Sequence, residues 1–141
     1  MLVKTLDDFE YKWSMTTIEK SHKSSLHKNA AVLIRNIFPT STILEEVQFT
    51  AKKNKHLYLD FFIIPFKIAI EIDGEQHETY SNFFSKNPFN FMRQKINDRL
   101  KQEWCTLNNI TLIRLKHNEQ PNEWREKLIL CGNDKSNEYQ N

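Results

Sequence analysis

"LYLDFFIIPFKIAIEIDGEQHE", residues 57–78, sets the fold problem. It reads as buried β-structure, yet Asp60 interrupts its first half, and Glu71 and Asp73 close its second just before Gly74. Unpaired buried charge is costly, so three carboxylates inside an apolar run need a reason. Side chains alternate along a strand, which puts Tyr58, Asp60 and Phe62 on one face and Ala69, Glu71 and Asp73 on one face of the next. If the Pro65-Phe66 turn pairs the two strands so that these sets coincide, the acids converge. Convergent carboxylates resist ionising together without a cation. A hard divalent ion, Mg²⁺ or Mn²⁺, would relieve the conflict by taking oxygen ligands from acids, waters and a backbone carbonyl. The alternative is that strand-end acids face water at the rim of the sheet.

Outward from this stretch, the surrounding chain reads as alternating elements. "TTIE" (16–19) has the form of a capping box, and "LHKNAAVLIRNIF" (26–38) carries helical periodicity that Pro39 ends. "ILEEVQF" (43–49), "HLYLDFFII" (56–64) and "KIAIEID" (67–73) predict an antiparallel meander. Residues 74–90 read as a loop, about 90–107 as a helix, and "TLIRL" (111–115) as a fourth strand. Pro121 opens a last helix, and 133–141 reads as a frayed tail. The order α-βββ-α-β-α predicts an α/β (α+β) domain, a mixed sheet of about four strands flanked by helices, with one unit over 1–132.

Gly74, one of two glycines in the chain, marks a sharp turn or close approach after the acid pair. His77 three residues on is placed to assist a water near neutral pH. These residues, with "NDRLKQEWC" and "ITLIRL", resemble the PD-(D/E)XK nuclease superfamily, and within it the very-short-patch-repair and EDxHD homing endonuclease branch. The likeness covers roughly 43–115. It implies a restriction-endonuclease-like core (43–115) and Mg²⁺-dependent hydrolysis of DNA phosphodiesters, as in phage-type mobile, homing or nicking enzymes. It also implies roles: Asp60 as the metal-binding aspartate, Glu71 as the acid of the E-x-K element, and the Ile72 carbonyl as a backbone ligand. Asp73 stands where many members carry lysine, which shifts proton transfer toward His77. Asp98, in "D-x-x-K" with Lys101, either supports the site or is a solvated helical acid. The glutamate that the branch carries on its first helix falls on His27. Glu19 is about 12 Å away along a continuous helix, and Glu45 and Glu46 are alternatives, with Glu46 preferred.

Lys52, Lys53, Lys55, Lys86, Arg93 and Lys95 are candidate DNA-backbone contacts, which position nucleic acid without reading sequence. "KKNKH" (52–56) reads equally as a solvated hairpin turn. In "YSNFFSKNPFNF" (80–91), Phe83 and Phe84 are candidate wedges between bases, the other rings core. The competing readings are a non-catalytic DNA-binding module that keeps the fold, and an RNA-directed protein, for which no RNA-module motif is present.

Composition bounds these readings loosely. The chain has 141 residues, 39% hydrophobic and 27% charged, with a net charge of +2. That balance is globular, and the total neither demands nor excludes nucleic acid. Two cysteines make no multi-bridge framework and no C-x-x-C zinc motif. The first residues lack a signal peptide's apolar core, and 57–72 is too short and too broken to span a bilayer. The expectation is a cytoplasmic protein, in the host cell if phage-encoded, with no membrane partner.

Overall fold

The computed structural model describes residues 1–20, 22–74 and 88–140, the side chains of 136–140 excepted. Its elements are β1 (Leu2–Lys4), β2 (Glu10–Lys12), α1 (Ser25–Ile37), β3 (Thr42–Lys52), β4 (Lys55–Ile64), β5 (Ile68–Asp73), α2 (Pro88–Leu107), β6 (Thr111–Lys116) and α3 (Pro121–Gln140). The main sheet runs β3-β4-β5-β6, with β1 and β2 a separate hairpin. β4 is antiparallel to β3 and β5, while β6 lies parallel to β5. A parallel neighbour requires a long crossover, and α2 provides it. The mixed four-stranded sheet and its three helices match the predicted class.

Each face of the sheet buries its own apolar cluster. On one face, Leu100, Trp104 and Cys105 of α2 pack with Val47, Phe49, Leu57, Leu59, Phe62 and Ala69. On the other, Ala30 and Ile34 of α1 and Trp124 and Leu128 of α3 pack with Phe61, Ile63, Ile68, Ile70 and Leu115. Both sides of β5 are therefore covered, which explains its near-continuous apolar run. No helix among the described residues is long and apolar enough to cross a membrane.

Several elements depart from the sequence expectation. Thr16–Glu19 opens no helix. Thr17 bridges Val47, the Gln48 N–H donates to the Thr16 carbonyl at 2.8 Å, and the Ile18 N–H donates to the Glu46 carbonyl at 3.1 Å. β3 is an edge strand whose backbone groups need partners, and that demand outweighs the capping box. The cap falls instead on Ser24, whose hydroxyl accepts from the His27 N–H at 3.1 Å. The β1–β2 hairpin was not foreseen. It leads to Trp13, whose ring meets Phe62 and Trp104 edge-on at 4.9 and 5.2 Å. Along α2, Leu100, Trp104 and Cys105 are buried while Ile96 and Leu107 are exposed. Residues 133–140, expected to fray, continue α3.

One irregularity positions everything that follows. Leu44 packs on the α2 side, and so do Val47, Phe49 and Ala51, while Leu57, Leu59 and Phe62 share that side in β4. Odd and even positions therefore exchange faces between 44 and 47, and again between 59 and 62. Glu45 pairs with Phe61 and Val47 with Leu59, so Glu46 and Asp60 stand opposite each other at the exchange. Glu46 adopts φ 55°, the left-handed region that side chains rarely enter.

Candidate functional site

β4 and β5 are in ladder register at Phe61–Ile70, Phe62–Ala69 and Ile63–Ile68, and the ladder stops there. Beyond it the strands fork, and the two acids of the opening motif take over the backbone donors. The Asp60 N–H donates to Glu71 Oε2 at 2.7 Å, and the Ile72 N–H donates to Asp60 Oδ2 at 2.8 Å. Carboxylates at these places satisfy amides that the parting strands would otherwise leave buried and unpaired. Part of the reason for acids in an apolar run is thus structural.

The rest is electrostatic. Glu71 is 2% exposed, and its Oε1 receives the Lys101 ammonium from α2. Burial alone would push Lys101 toward neutrality, but the carboxylates of Glu71, Asp60 and Asp98 hold its pKa above the usual lysine value. Asp60 goes the other way. Burial and then the neighbouring Glu71 raise its pKa well above the normal aspartate range, against the Ile72 N–H and Lys101. Lys101 of α2 thus brings to Glu71 an ammonium from 30 residues away in sequence. Lys101 had entered the sequence reading only as a neighbour of Asp98; its position one helical turn on, in D-x-x-K, was the available signal.

Asp73 belongs to a different group. Its carboxylate accepts from Arg114 of β6 at 3.1 Å, while Arg114 also donates to the Asp98 carbonyl at 3.1 Å and stands 3.9 Å from the Asp98 carboxylate. Asp98 therefore reaches Asp73 through Arg114. His77, Lys86, Phe83 and Phe84 lie outside the described residues.

Among the described residues, the donors that converge are His27, Glu46 and Asp60, one atom from each lying within 4.8 Å of the others. All three line a cavity of about 380 Å³, together with Ile72, Gly74, Lys20, His22 and Lys23. α1 delivers His27, stacked on Phe61 at 4.5 Å between ring centres. His27 Nδ1 is 3.8 Å from Glu46 Oε1, while Nε2 is 2.9 Å from Glu45 Oε1. Glu45 also accepts from Lys23 at 3.0 Å and from Arg35 at 2.7 Å. Burial pushes Glu45 up, but these three partners win and hold it below the ordinary glutamate range. Glu46 is 2% exposed; its Oε2 takes no hydrogen bond, although the half-exposed Lys20 ammonium lies 3.1 Å away as an ion pair. Glu71 has both oxygens engaged and stands beside this triad, not in it. A larger hollow of about 770 Å³ between Phe66, Gln102, Thr111 and Lys135 carries neither carboxylate nor imidazole, so chemistry points to the smaller one.

Of the candidate DNA contacts, Lys52 and Lys55 face each other at the tip of the β3–β4 hairpin and Lys53 is in its turn. At ~3.3 Å per residue that tip is roughly 20 Å from the Glu46–Asp60 pair. Arg93 and Lys95 lie on α2, Lys95 with its ammonium 5.5 Å from the centre of the Phe91 ring. Lys20 and Lys23, at the cavity itself, were not singled out from sequence.

Fold and site together define a mixed α/β domain with a cavity of carboxylates and imidazole at a strand fork. No described protein family matches the chain, and no solved structure does. Over 64 residues the chain is 34% identical to uncharacterized protein 307L of Invertebrate iridescent virus 6, a match covering 45% of this chain and 32% of that protein. Over 62 residues it is 31% identical to uncharacterized protein 033L of Invertebrate iridescent virus 3, covering 44% and 32%. The matched segment is about a third of the length of these relatives.

Proposed function

We propose that this domain is a metal-dependent endonuclease that hydrolyses DNA phosphodiester bonds at the fork between β4 and β5. The observation that carries the reading is the cavity where Asp60 meets Glu46 and His27 beside the buried Glu71–Lys101 pair. This donor set suits a divalent cation: two carboxylates offer oxygens, and the buried Glu46 Oε2 takes no hydrogen bond, its described charge partner being the half-exposed Lys20 ammonium. A bound cation would polarise a phosphoryl oxygen and lower the pKa of a coordinated water. The chain's own groups do the rest. Asp60 and Glu46 present carboxylate oxygens where an ion would sit. Lys101 pairs with Glu71, and Glu71 fixes the Asp60 backbone. Lys20 and Lys23 place positive charge at the cavity, where phosphate would enter. The resemblance to PD-(D/E)XK nucleases supports the same chemistry and adds His77 as a proton-transfer group.

The test is cleavage of supercoiled plasmid in Mg²⁺ or Mn²⁺ against EDTA. The wild type should nick or linearise the plasmid only with metal, and Asp60→Ala should lose cutting while retaining most DNA binding. Metal-independent cutting, or full cutting by Asp60→Ala, would refute the reading. Binding without any cutting would instead favour a DNA-binding module.

A further inference from the structure

We infer that His27, Glu46 and Asp60 bind one divalent transition ion of the first row, with Glu45 holding the imidazole from its far nitrogen. The inference rests on this cavity being a metal site, as proposed above, but not on DNA being its substrate.

Four observations converge on it. The three donors come from three elements: His27 from α1, Glu46 from β3 and Asp60 from β4. The backbone of Glu46 is held at φ 55°, a left-handed conformation that persists only where the surroundings enforce it. Glu46 lines the same cavity, and its buried Oε2 takes no hydrogen bond, meeting only the half-exposed Lys20 ammonium as an ion pair among the described residues. The fourth concerns His27. Its two nitrogens face different carboxylates, Nε2 toward Glu45 at 2.9 Å and Nδ1 toward Glu46 at 3.8 Å. With the Nε2 proton donated to Glu45, the Nδ1 lone pair points at the triad. A histidine that ligates a metal characteristically gives its other N–H to a carboxylate or carbonyl, which fixes tautomer and ring angle. The successive residues Glu45 and Glu46 would thus divide the work, one orienting the imidazole and the other binding the ion beside it.

The donor set also ranks the ions. Mg²⁺ prefers an all-oxygen octahedron and gives up water reluctantly. Imidazole nitrogen favours transition ions, and carboxylate oxygens admit Mn²⁺ among them. The Lys20 ammonium, 3.1 Å from Glu46 and half exposed, occupies part of the charge that the ion would take and can swing away.

The experiment titrates the intact chain with Mn²⁺ and follows free ion by electron paramagnetic resonance, with spin-echo modulation on the bound ion. One Mn²⁺ should bind, carrying ¹⁴N modulation from His27, and Mg²⁺ should displace it only at concentrations higher by at least about tenfold. His27→Ala should abolish the modulation and weaken binding by at least about tenfold. Glu45→Gln should weaken it by roughly 10- to 100-fold while the nitrogen signal survives. Absence of Mn²⁺ binding, bound Mn²⁺ without ¹⁴N modulation in the wild type, or displacement by equimolar Mg²⁺ would each overturn the inference. The wild-type spectrum decides even if a variant fails to fold. Metal bound as described with no plasmid cutting would refute the nuclease reading alone; Asp60-dependent cutting that survives His27→Ala would refute this inference alone.

Discussion

Replacing Lys101 by Met probes the fork most directly. In the native chain the Lys101 ammonium meets Glu71 Oε1 where Glu71 is 2% exposed and the lysine side chain 15%. The substitution keeps the length of the stem and deletes the charge, leaving a buried carboxylate that already accepts the Asp60 N–H. Removing one partner of a buried pair costs ~3–5 kcal/mol, because the other is left unpaired. The partial exposure of Lys101 lets water in and favours the lower end, about 3 kcal/mol. With a urea slope of about 2 kcal/mol/M, the unfolding midpoint should fall by about 1.5 M. Glu71→Gln combined with Lys101→Met should recover most of the loss, since two neutral groups replace the orphaned charge. pH supplies a second signature. Lys101 has its pKa raised in the fold, so the stabilisation is complete below the unfolded lysine value of about 10.4 and is lost as pH rises through the higher folded value. Wild type should show this alkaline loss and Lys101→Met should not. A loss below about 1 kcal/mol, or a double variant no better than the single, would refute the assignment of Lys101 as the charge partner of Glu71.

Other outcomes follow from the same geometry. Asp60→Asn should raise the thermal midpoint at neutral pH by a few degrees per kcal/mol gained, while abolishing cleavage. The raised folded pKa of Asp60 means its ionised form costs stability, so wild type should gain stability as pH falls through that value toward the unfolded one of about 3.9, and the variant should not; a lower midpoint for the variant at neutral pH would contradict this. Mn²⁺ at about 100 times its dissociation constant should stabilise wild type by about 2.7 kcal/mol and Asp60→Asn hardly at all, read by scanning calorimetry; equal shifts in both would place the ion elsewhere. The Cys105 thiol, with burial pushing its pKa up to about 12, should resist Ellman's reagent in the native protein and react only on unfolding; rapid native labelling at Cys105 would contradict its packing between α2 and the sheet.

Much of the architecture was legible because it rests on local signals. The short β-branched and aromatic runs at 43–49 and 56–64, Pro39 ending α1 and Pro121 starting α3 each constrain only their neighbours. The capping-box reading of Thr16–Glu19 failed because a sheet edge competed for the same backbone, and an edge is not local information. The site shows the same division. Asp60 and Glu71 stood out by interrupting an apolar run. The contact of Lys101 with Glu71 needed α2 laid across the sheet, 30 residues away in sequence. His27 and Glu46 were noticed only as places where a first-helix glutamate was sought. Nothing in "ILEEVQF" announces that Glu46 will turn left-handed and face Asp60.

That turn accounts for the whole arrangement. In an unbroken β3–β4 ladder, positions 45, 47, 59 and 61 would all share one face, and an acid at 46 or 60 would point to the opposite face beside Leu44, Gln48, Tyr58 and Phe62. Exchanging faces at 46 and 60 keeps Leu44 and Phe62 in the same core as Val47 and Leu59. The crossing point is then the one place in the sheet where a side chain need not commit to either core. Two acids sit there, facing each other, and α1 brings an imidazole to them. An apolar pair at these positions would allow regular alternation and a more stable sheet, since buried like charges are costly. On the proposal that a cation binds here, the irregular strand is the cost of holding carboxylate oxygens together in a cavity.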